Sequence, residues 1–399
     1  MLRRMKNILL VVNVLACCLI FTAPGCKAQP DIQISGQIEL HPEWKPVVYL
    51  VQPRNFSEMA SDYLGQLLDS AIIAKDGSFI FEQVAVKQQY ELLELVVQKI
   101  DSRYANHLID TIPAESNYMP VILENGSSVK IQANISSFQN TLVFINPSSQ
   151  NKSIISLRNI RLAAFKDLLL KIKSATDDDS LLIEREQAYD DYIKPMMEFA
   201  DSTSCLEAAM LAIRWISPTN DFERIPEFTA GQCQRWSGLY PEHPYAEQLC
   251  VLASKNKLPL MKGDIIPDFS LPLVTGDSVN LFSLLGRKLT LLDFWASWCA
   301  PCRKENREEL IPLWNTYHDK GFQIIAYSLD ASEGPWKNAI KKDGSVWTQA
   351  SHLSGDSSPF MEALRITTIP ANYILDADGK IIARNLHGKD LKYFIEGYQ

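Results

Sequence analysis

The sequence predicts a multidomain α/β protein: an antiparallel β domain, a helical linker domain and a C-terminal domain with a mixed sheet flanked by helices. The chain has 399 residues, which exceeds one ordinary domain. Before residue 140, apolar and polar residues alternate as in β-strands, and from about 150 apolar residues have helical spacing. From residue 262, segments with strand patterns alternate with segments with helix patterns. We therefore assign 1–28 to a signal sequence, 30–140 to the β domain, 150–258 to the helices and 262–399 to the last domain.

The first 28 residues have the organisation of a secretion signal. Arg3, Arg4 and Lys6 precede an apolar run from Ile8 to Phe21, the order of a positive segment followed by a hydrophobic one. The run is short for a membrane-spanning helix, although a retained anchor stays an alternative. The sequence therefore predicts an exported protein of the periplasm or cell envelope.

Two routes of processing are open after the apolar run. One is ordinary cleavage after Ala28, although Cys26-Lys27-Ala28 matches a cleavage site poorly. The other is lipid attachment at Cys26, which follows the small residue Gly25. A lipid chain would anchor the protein to a membrane, so we expect membrane contact only in this second case.

Residues 30–140 have the pattern of a small antiparallel β-sandwich. Apolar side chains alternate from Ile32 to Leu40, the period of a half-buried strand. Asp76-Gly77 and Asn125-Gly126 each lie between two apolar runs, so they predict two β-hairpins. This region contains no evident group of catalytic residues.

Residues 150–258 predict a set of helices. Apolar residues from Leu157 to Ile172 form a helical stripe, and the acids Asp177 to Asp179 favour the start of the next helix. Further helices are expected near 183–200, 203–215 and 244–255. Four prolines predict breaks between these helices: Pro218, Pro226, Pro241 and Pro244.

From residue 262 the chain alternates between strands and helices. Leu289 to Trp295 reads as a buried central strand, followed by a helix that begins near Pro301. Phe322 to Tyr327 predicts the next strand. The turn Asp378-Gly379 predicts a terminal hairpin, and Asp390 is a plausible N-cap for the last helix.

The cysteines outside the signal fall into two groups. Cys205, Cys233 and Cys250 lie in the middle of the chain, and Cys299 and Cys302 lie near the end. Because three is an odd number, at least one middle cysteine is expected to be a buried thiol, while a disulfide between the other two stays open. Only the last pair has tight spacing.

The Cys-x-x-Cys pair at residues 299–302 has the spacing of a redox site at a helix N-terminus. Free N–H groups and the positive end of the helix dipole would favour the thiolate of Cys299, the attacking species. Cys302 lies one turn further and can attack a mixed disulfide. Zinc would need two more ligands, and no second Cys-x-x-Cys or paired histidines follow. We expect no metal and no cofactor.

The segment from Asp293 to Arg303, Asp-Phe-Trp-Ala-Ser-Trp-Cys-Ala-Pro-Cys-Arg, closely resembles thioredoxin. With Pro267-Asp268-Phe269, Gly276 and Leu281 ahead of it, the C-terminal region resembles the TlpA/ResA branch of exported thioredoxin-like proteins. The resemblance implies a thioredoxin fold from residue 262 onward and a thiol–disulfide oxidoreductase activity. The preceding regions resemble, more loosely, exported relatives that carry an N-terminal β domain.

The resemblance also implies a role for each matching residue. Cys299 would be the nucleophile and Cys302 the resolving thiol, with Asp293 as the buried acid that exchanges a proton. Thr368-Ile369-Pro370 matches the loop whose proline is cis and lies against the disulfide. The residues expected to contact the substrate are Trp298, Pro301 and Ile369.

Two other functions remain as alternatives. A peroxidase on the same fold would need Thr and Pro where this chain has Ala296 and Asp293. A redox-linked binding protein, whose N-terminal regions hold a partner, is compatible with the sequence. The net charge of −8 argues against nucleic acid as a partner.

The direction of electron flow and the partners are inferred from the residues between the cysteines. Ala300-Pro301 contains no histidine, which in strong oxidants would stabilise the reduced form. We therefore expect a role in reduction or exchange of protein disulfides. The expected partners are a disulfide-bearing protein substrate and an electron donor such as a membrane thiol reductase.

Overall fold

The structure is a computed structural model that describes residues 33–86, 88–173 and 182–398. The predicted signal sequence, Cys26 and the acids Asp177 to Asp179 lie outside the described residues. The chain folds as a mixed α/β protein, as the sequence predicts. The boundaries of its domains stay a prediction.

The first part of the described chain is a β-sandwich. Its strands form two four-stranded sheets within the described residues up to 145, in the orders β4-β1-β7-β8 and β3-β2-β5-β6. Buried side chains from both sheets share one core. The strands are β1 (Ile34–Glu39), β2 (Trp44–Gln52), β3 (Gln66–Ile72), β4 (Ser78–Phe81), β5 (Tyr90–Lys99), β6 (Tyr118–Glu124), β7 (Val129–Asn134) and β8 (Val143–Ile145), with a short helix α1 (Phe138–Thr141) before β8.

The two predicted hairpins are wrong, although both turns form. Gly77 and Gly126 each have φ of +84°, the left-handed backbone that these Asp-Gly and Asn-Gly turns require. However, β3 and β4 belong to opposite sheets, and so do β6 and β7. A turn sequence specifies local backbone geometry, whereas the sheet that the next strand joins depends on packing.

The expectation of a purely antiparallel domain is also wrong at one place. β1 pairs with β7 in parallel, with Ile34 opposite Val129 and Gly36 opposite Ile131. A Cβ on Gly36 would lie 2.2 Å from the Ile131 carbonyl oxygen, so only glycine fits there. Parallel pairing needs a long connection, and the chain between these strands supplies it by passing through the other sheet.

A helical region follows the sandwich and shares its hydrophobic core. Arg161 forms two hydrogen bonds to Asp110, and the indole N–H of Trp215 donates to Tyr118 Oη at 2.8 Å. These contacts join the helices to the sandwich as one packed unit. The helices are α2 (Ser149–Lys173), α3 (Leu182–Ser202), α4 (Leu206–Ile216), α5 (Pro226–Leu239) and α6 (Pro244–Leu252).

The helix α5 was not expected from the sequence. Pro226 was interpreted as a break, but it is the first residue of α5. Proline suits that position because its fixed φ is helical and the amide hydrogen it lacks would have no partner in the first turn. Pro226 therefore marks the start of a helix, and not a break between helices.

The middle cysteines divide into a disulfide and a buried thiol. Cys233 on α5 and Cys250 on α6 form a disulfide, and Cys205 is buried and free. The expectation of one buried thiol is confirmed, and the question of a middle disulfide is answered. Burial raises the pKa of Cys205 to about 12, so this thiol is a poor nucleophile.

Removing the Cys233–Cys250 disulfide should destabilise the helical region without affecting redox chemistry. The two cysteines are 17 residues apart, and a loop of that length corresponds to about 3 kcal/mol of unfolding free energy. We expect the Cys233→Ala, Cys250→Ala double variant to show this loss in chemical unfolding. In a background without Cys299 and Cys302, thiol reductant should lower the stability of the parent to that of the double variant. Equal stability of the two without reductant would contradict a structural role.

The C-terminal region has its own core and a five-stranded sheet within residues 262–398, in the order β13-β12-β11-β14-β15. β11, β12 and β13 are parallel to one another, β14 pairs antiparallel with β11, and β15 pairs antiparallel with β14. The strands are β9 (Ser270–Pro272), β10 (Ser278–Asn280), β11 (Leu289–Trp295), β12 (Phe322–Ser328), β13 (Thr348–Ala350), β14 (Ala371–Asp376) and β15 (Ile381–Arg384). The helices are α7 (Ala300–Glu305), α8 (Ile311–Tyr317), α9 (Glu333–Asp343), α10 (Pro359–Leu364) and α11 (Gly388–Tyr398).

Most expected elements of this region form, with one correction at the last helix. Helix α11 begins at Gly388, so Asp390 lies within its first turn and is not the N-cap. The Asp390 N–H donates to the carbonyl of His387 at 3.2 Å, which marks the earlier start. Within the described part of the chain, none of the helices combines the length and apolar character needed to span a bilayer.

Candidate active site

Cys299 lies at the N-cap of α7 and forms a disulfide with Cys302. The backbone N–H of Cys302 donates to Cys299 Sγ at 3.3 Å. Pro301 occupies the first turn, where its missing N–H costs nothing. An N-terminal helix dipole and a free amide therefore act on the sulfur of Cys299, and both would stabilise its thiolate in the reduced form.

Exposure does not distinguish the two cysteines in this oxidised form. Cys299 is 4% exposed and Cys302 is 3% exposed, so the two residues are equally buried. The adjacent Trp298 is 62% exposed, which agrees with a surface aromatic beside the pair. The difference between the two sulfurs therefore rests on their position relative to the helix terminus.

A buried carboxylate holds the helix that carries the cysteines. Asp343, at the end of α9, accepts hydrogen bonds from Arg303 at 2.6 Å and from Arg307 at 2.9 Å. Between α7 and α8 the helix has a π-helical segment, Asn306–Leu310, just before Pro312. A proline inside a helix clashes with the carbonyl four residues earlier, and a widened turn relieves that clash.

Asp293 is a buried acid on the central strand β11. Burial, reinforced by the nearby charge of Glu305, raises the pKa of Asp293 to about 8, and His387 opposes this rise. A carboxyl group with this pKa can both accept and return a proton near neutral pH.

Glu305 and His387 form a buried pair close to Asp293. His387 Nδ1 donates to both carboxylate oxygens of Glu305, each at 3.0 Å. Burial by itself would lower the pKa of His387, but the Glu305 carboxylate outweighs it and raises the pKa above its ordinary value. The pair therefore places a second titratable group beside the buried acid.

Sequence reasoning missed both members of this pair. Glu305 lies three residues after Cys302, a spacing that puts the two on one face of a helix and could have been noticed. His387 gave no signal, because a single histidine between β15 and α11 fits no motif. Its place beside Glu305 follows from the tertiary fold alone.

The Pro370 loop has the predicted backbone geometry, because the Ile369–Pro370 peptide bond is cis. Ile369 is half-buried and Pro370 is buried. The guanidinium of Arg224, from the connection between α4 and α5, donates to the Pro370 carbonyl at 3.1 Å. The helical region therefore contacts the loop that the sequence analysis assigned to the site.

Glu223 fixes the same loop through its carboxylate. It accepts the backbone N–H groups of Thr367 and Thr368 at 3.0 and 3.2 Å, and it also accepts both threonine hydroxyls. Its own carbonyl accepts a hydrogen bond from Arg384 at 2.8 Å. Glu223 and Arg224 thus form an interdomain clamp, and no sequence motif indicated it.

Replacing Glu223 with glutamine should loosen the Pro370 loop. The amide would present N–H₂ to donors that now meet a carboxylate oxygen, and lost hydrogen bonds to a charged group cost about 1.5–3 kcal/mol. We expect faster amide exchange at Thr367 and Thr368 by at least about tenfold. Glu198→Gln, an exposed position on α3, is the control. Unchanged exchange at both threonines would show that the clamp does not hold the loop.

Across the described ranges of the chain, no group of three or more His, Cys, Asp or Glu side chains is arranged to hold a metal ion. The groups close to the cysteines are instead a buried acid, a carboxylate–histidine pair and a proline loop. These can exchange protons and position a disulfide, which is what thiol–disulfide chemistry needs.

The sheet order, the disulfide at the start of α7 and the Pro370 loop define a thioredoxin-like protein. A family model described as Redoxin matches residues 261–392. The thiol-disulfide oxidoreductase ResA of Bacillus cereus is 29% identical over 146 residues, which cover 37% of this chain and 80% of ResA. The thioredoxin-like protein YneN of Bacillus subtilis is 30% identical over 128 residues, which cover 32% of this chain and 73% of YneN.

Solved structures are also similar to part of the chain. The thioredoxin domain of a thiol-disulfide oxidoreductase from Bacteroides vulgatus is 35% identical, and the match covers 35% of this chain and 98% of that domain with a TM-score of 0.33. Because of the family model and the two relatives, the chain belongs to the thioredoxin-like proteins of TlpA/ResA type, and it is a thiol–disulfide oxidoreductase.

Proposed function

We propose that the protein reduces or exchanges disulfides of exported proteins through Cys299 and Cys302, outside the cytoplasm. The observation that carries the proposal is the position of Cys299 at the N-cap of α7, bonded to Cys302 and close to a buried acid system. The helix N-terminus favours the thiolate of Cys299, and the carboxylate of Asp293 can accept the proton of the Cys302 thiol.

The reaction begins from the reduced pair. The thiolate of Cys299 attacks one sulfur of the substrate disulfide, forms a mixed disulfide and expels the other substrate sulfur as a thiolate. Cys302 then attacks Cys299 Sγ, which breaks the mixed disulfide and releases the second substrate thiolate. Two electrons pass to the substrate, and the protein is left with the Cys299–Cys302 disulfide.

The second step needs a proton acceptor because Cys302 attacks as a thiolate. The carboxylate of Asp293 accepts this proton. Because the pKa of Asp293 is about 8, both its protonated and its deprotonated form are populated near neutral pH. We assign Trp298, Pro301 and Ile369 to contact with the substrate chain. Their contact role rests on the family pattern and on the exposure of Trp298.

Regeneration requires an external dithiol, and we propose a membrane thiol reductase as the donor. The absence of a histidine between the cysteines supports net reduction over oxidation. A signal-like N-terminus supports export to the periplasm or cell envelope. Lipid attachment at Cys26 would add a membrane anchor to this arrangement.

Reduction of insulin disulfides with dithiothreitol as donor tests the activity. The full chain should accelerate insulin precipitation, and the Cys299→Ser, Cys302→Ser double variant should not. Equal rates for the two proteins would refute the proposed use of this pair. The double variant is expected to fold, because α7 keeps its anchor at Asp343.

Cell fractionation tests the location. Deleting residues 1–28 should retain the protein in the cytoplasm, whereas the intact gene product should be found outside it. Palmitate labelling that is lost in Cys26→Ala would establish lipidation. Folded, unprocessed full-length protein in the cytoplasm would contradict the proposed compartment.

A further inference from the structure

A cleft of about 460 Å³ lies between the helical region and the thioredoxin-like region. Its walls come from α3, from the connection between α4 and α5, and from the segment between β15 and α11. The volume is within the range of sites that enclose a small ligand or a few side chains. No residue of this cleft belongs to the Cys-x-x-Cys motif.

Two residues that line the cleft also contact groups that we assign to the redox site. His387 lines the cleft while its Nδ1 contacts Glu305, so its ring reaches from the cleft to the acid system. Arg224 also lines the cleft while it donates to the Pro370 carbonyl. A molecule held in the cleft therefore lies beside the loop and the acids that serve the disulfide.

The charged groups of the cleft leave an excess of acid. Glu186, Asp190 and Asp221 line it, against Arg185 and Arg224. The guanidinium of Arg224 already meets Glu186 at 3.3 Å and the Pro370 carbonyl. Among the described residues no ion pair forms at Asp190, and the neighbouring Glu186 adds to the effect of partial burial in raising the Asp190 pKa. A cation in the cleft would relieve this repulsion.

The remaining wall is apolar. The side chains of Ile193 and Ile216 are nearly fully buried at its base, and the half-exposed ring of Tyr189 stands beside them. Tyr189 Oη donates to the Ile216 carbonyl at 3.2 Å, which fixes the ring. The cleft therefore combines an apolar surface with more carboxylates than guanidinium groups, and Arg224 and His387 only partly offset the charge around Asp190.

We propose that this cleft binds the segment of the substrate polypeptide that flanks its disulfide, and that it prefers a segment with a basic side chain next to an apolar one. The inference rests on the proposed function, because the occupant is the polypeptide whose disulfide reacts at Cys299. The basic group would approach Asp190 and the apolar group would pack on Tyr189 and the isoleucines. The helical region thereby acts as the specificity element for the thioredoxin-like site.

Matched peptides test the preference. Each peptide carries one cysteine as a mixed disulfide with 2-mercaptoethanol, flanked on both sides by Lys-Leu in one peptide and by Glu-Leu in the other. The second-order rate constant for oxidation of the reduced full chain is measured by stopped-flow tryptophan fluorescence. We expect the Lys-Leu peptide to react about three to five times faster, and this ratio should shrink with added salt.

Asp190→Asn should bring the ratio close to one, and Asp190→Lys should reverse it. The control is Glu198→Gln, which removes an exposed acid from the same helix at a position outside the cleft and should keep the wild-type ratio. If the ratio is one in the wild type, or if Asp190→Lys leaves it unchanged, the proposed subsite is overturned.

Hydroxyethyl disulfide separates this inference from the proposed function. It has no peptide segment to fill the cleft, so the wild type and the Asp190 variants should reduce it at equal rates. If the wild type reduces this small disulfide but shows no charge preference among peptides, only the subsite fails. If the wild type reduces neither the small disulfide nor the peptides, the proposed function itself fails.

Discussion

Cys299→Ser should abolish disulfide reduction and trap no substrate, whereas Cys302→Ser should accumulate a covalent adduct. Cys299 occupies the N-cap of α7, where the dipole and the Cys302 amide stabilise its thiolate. Without Cys302 the first attack still occurs, but the mixed disulfide cannot be resolved. Mass spectrometry after incubation with a disulfide-bearing protein should detect the adduct, and dithiothreitol should release it.

The remaining cysteines serve as the control for this experiment. Cys205 is buried with a raised pKa, and Cys233 and Cys250 are joined to each other, so none of them should capture substrate. An adduct on any of the three would move the chemistry out of the thioredoxin-like region. Identical trapping by the two active-site variants would reverse or cancel the assignment of nucleophile and resolving thiol.

Asp293→Asn should slow the resolving step by about 10- to 100-fold, the usual loss for a positioned proton acceptor. In the wild type the carboxylate forms as pH rises through its pKa of about 8, so the rate of resolution should rise over the same interval. Asparagine cannot accept the proton, and this rise should disappear. Rapid-quench measurement of mixed-disulfide decay between about pH 6 and 9 gives the two profiles. Superimposable profiles would remove Asp293 from the mechanism.

The same substitution should change stability in a pH-dependent way. Asp293 has a folded pKa of about 8, and an unfolded aspartate has one near 4, so the folded state holds the proton more tightly between these values. This contribution to the unfolding free energy is present at low pH and is lost as pH rises through about 8. Asparagine does not titrate, so the unfolding free energy of the variant has no such loss. The variant should therefore be most stabilised relative to the wild type above pH 8.

A matched control separates this effect from a general change of charge. Asp319 is fully exposed, so Asp319→Asn should leave both the kinetic profile and the pH dependence of unfolding as in the wild type. Equal stability differences for Asp293→Asn at pH 5 and pH 9 would contradict a raised pKa. That result would also argue against a protonated Asp293 in the oxidised enzyme.

The sequence by itself determined the redox pair and the elements that present it. A run of apolar residues makes β11 a buried strand. Pro301 favours the start of a helix just after Cys299, so the local sequence is enough to place Cys299 at the N-terminus of α7. Asp293 and Pro370 match local residue patterns of thioredoxin, so the resemblance implied both of them. These features depend on neighbouring residues, which the sequence displays directly.

Tertiary structure decided which distant elements meet. The turns at Gly77 and Gly126 were predicted, but packing sends the following strands to the opposite sheet. Thr367 donates a hydrogen bond to Glu223, which lies 144 residues away in the sequence. His387 forms a hydrogen bond with Glu305, which lies 82 residues away. Such contacts have no sequence period or spacing, since their geometry depends on how the helical region and the thioredoxin-like region pack together. The Cys299–Cys302 pair and the helix that presents it are therefore local in the chain, whereas the contacts of the Pro370 loop and the cleft beside it arise only from the assembled fold.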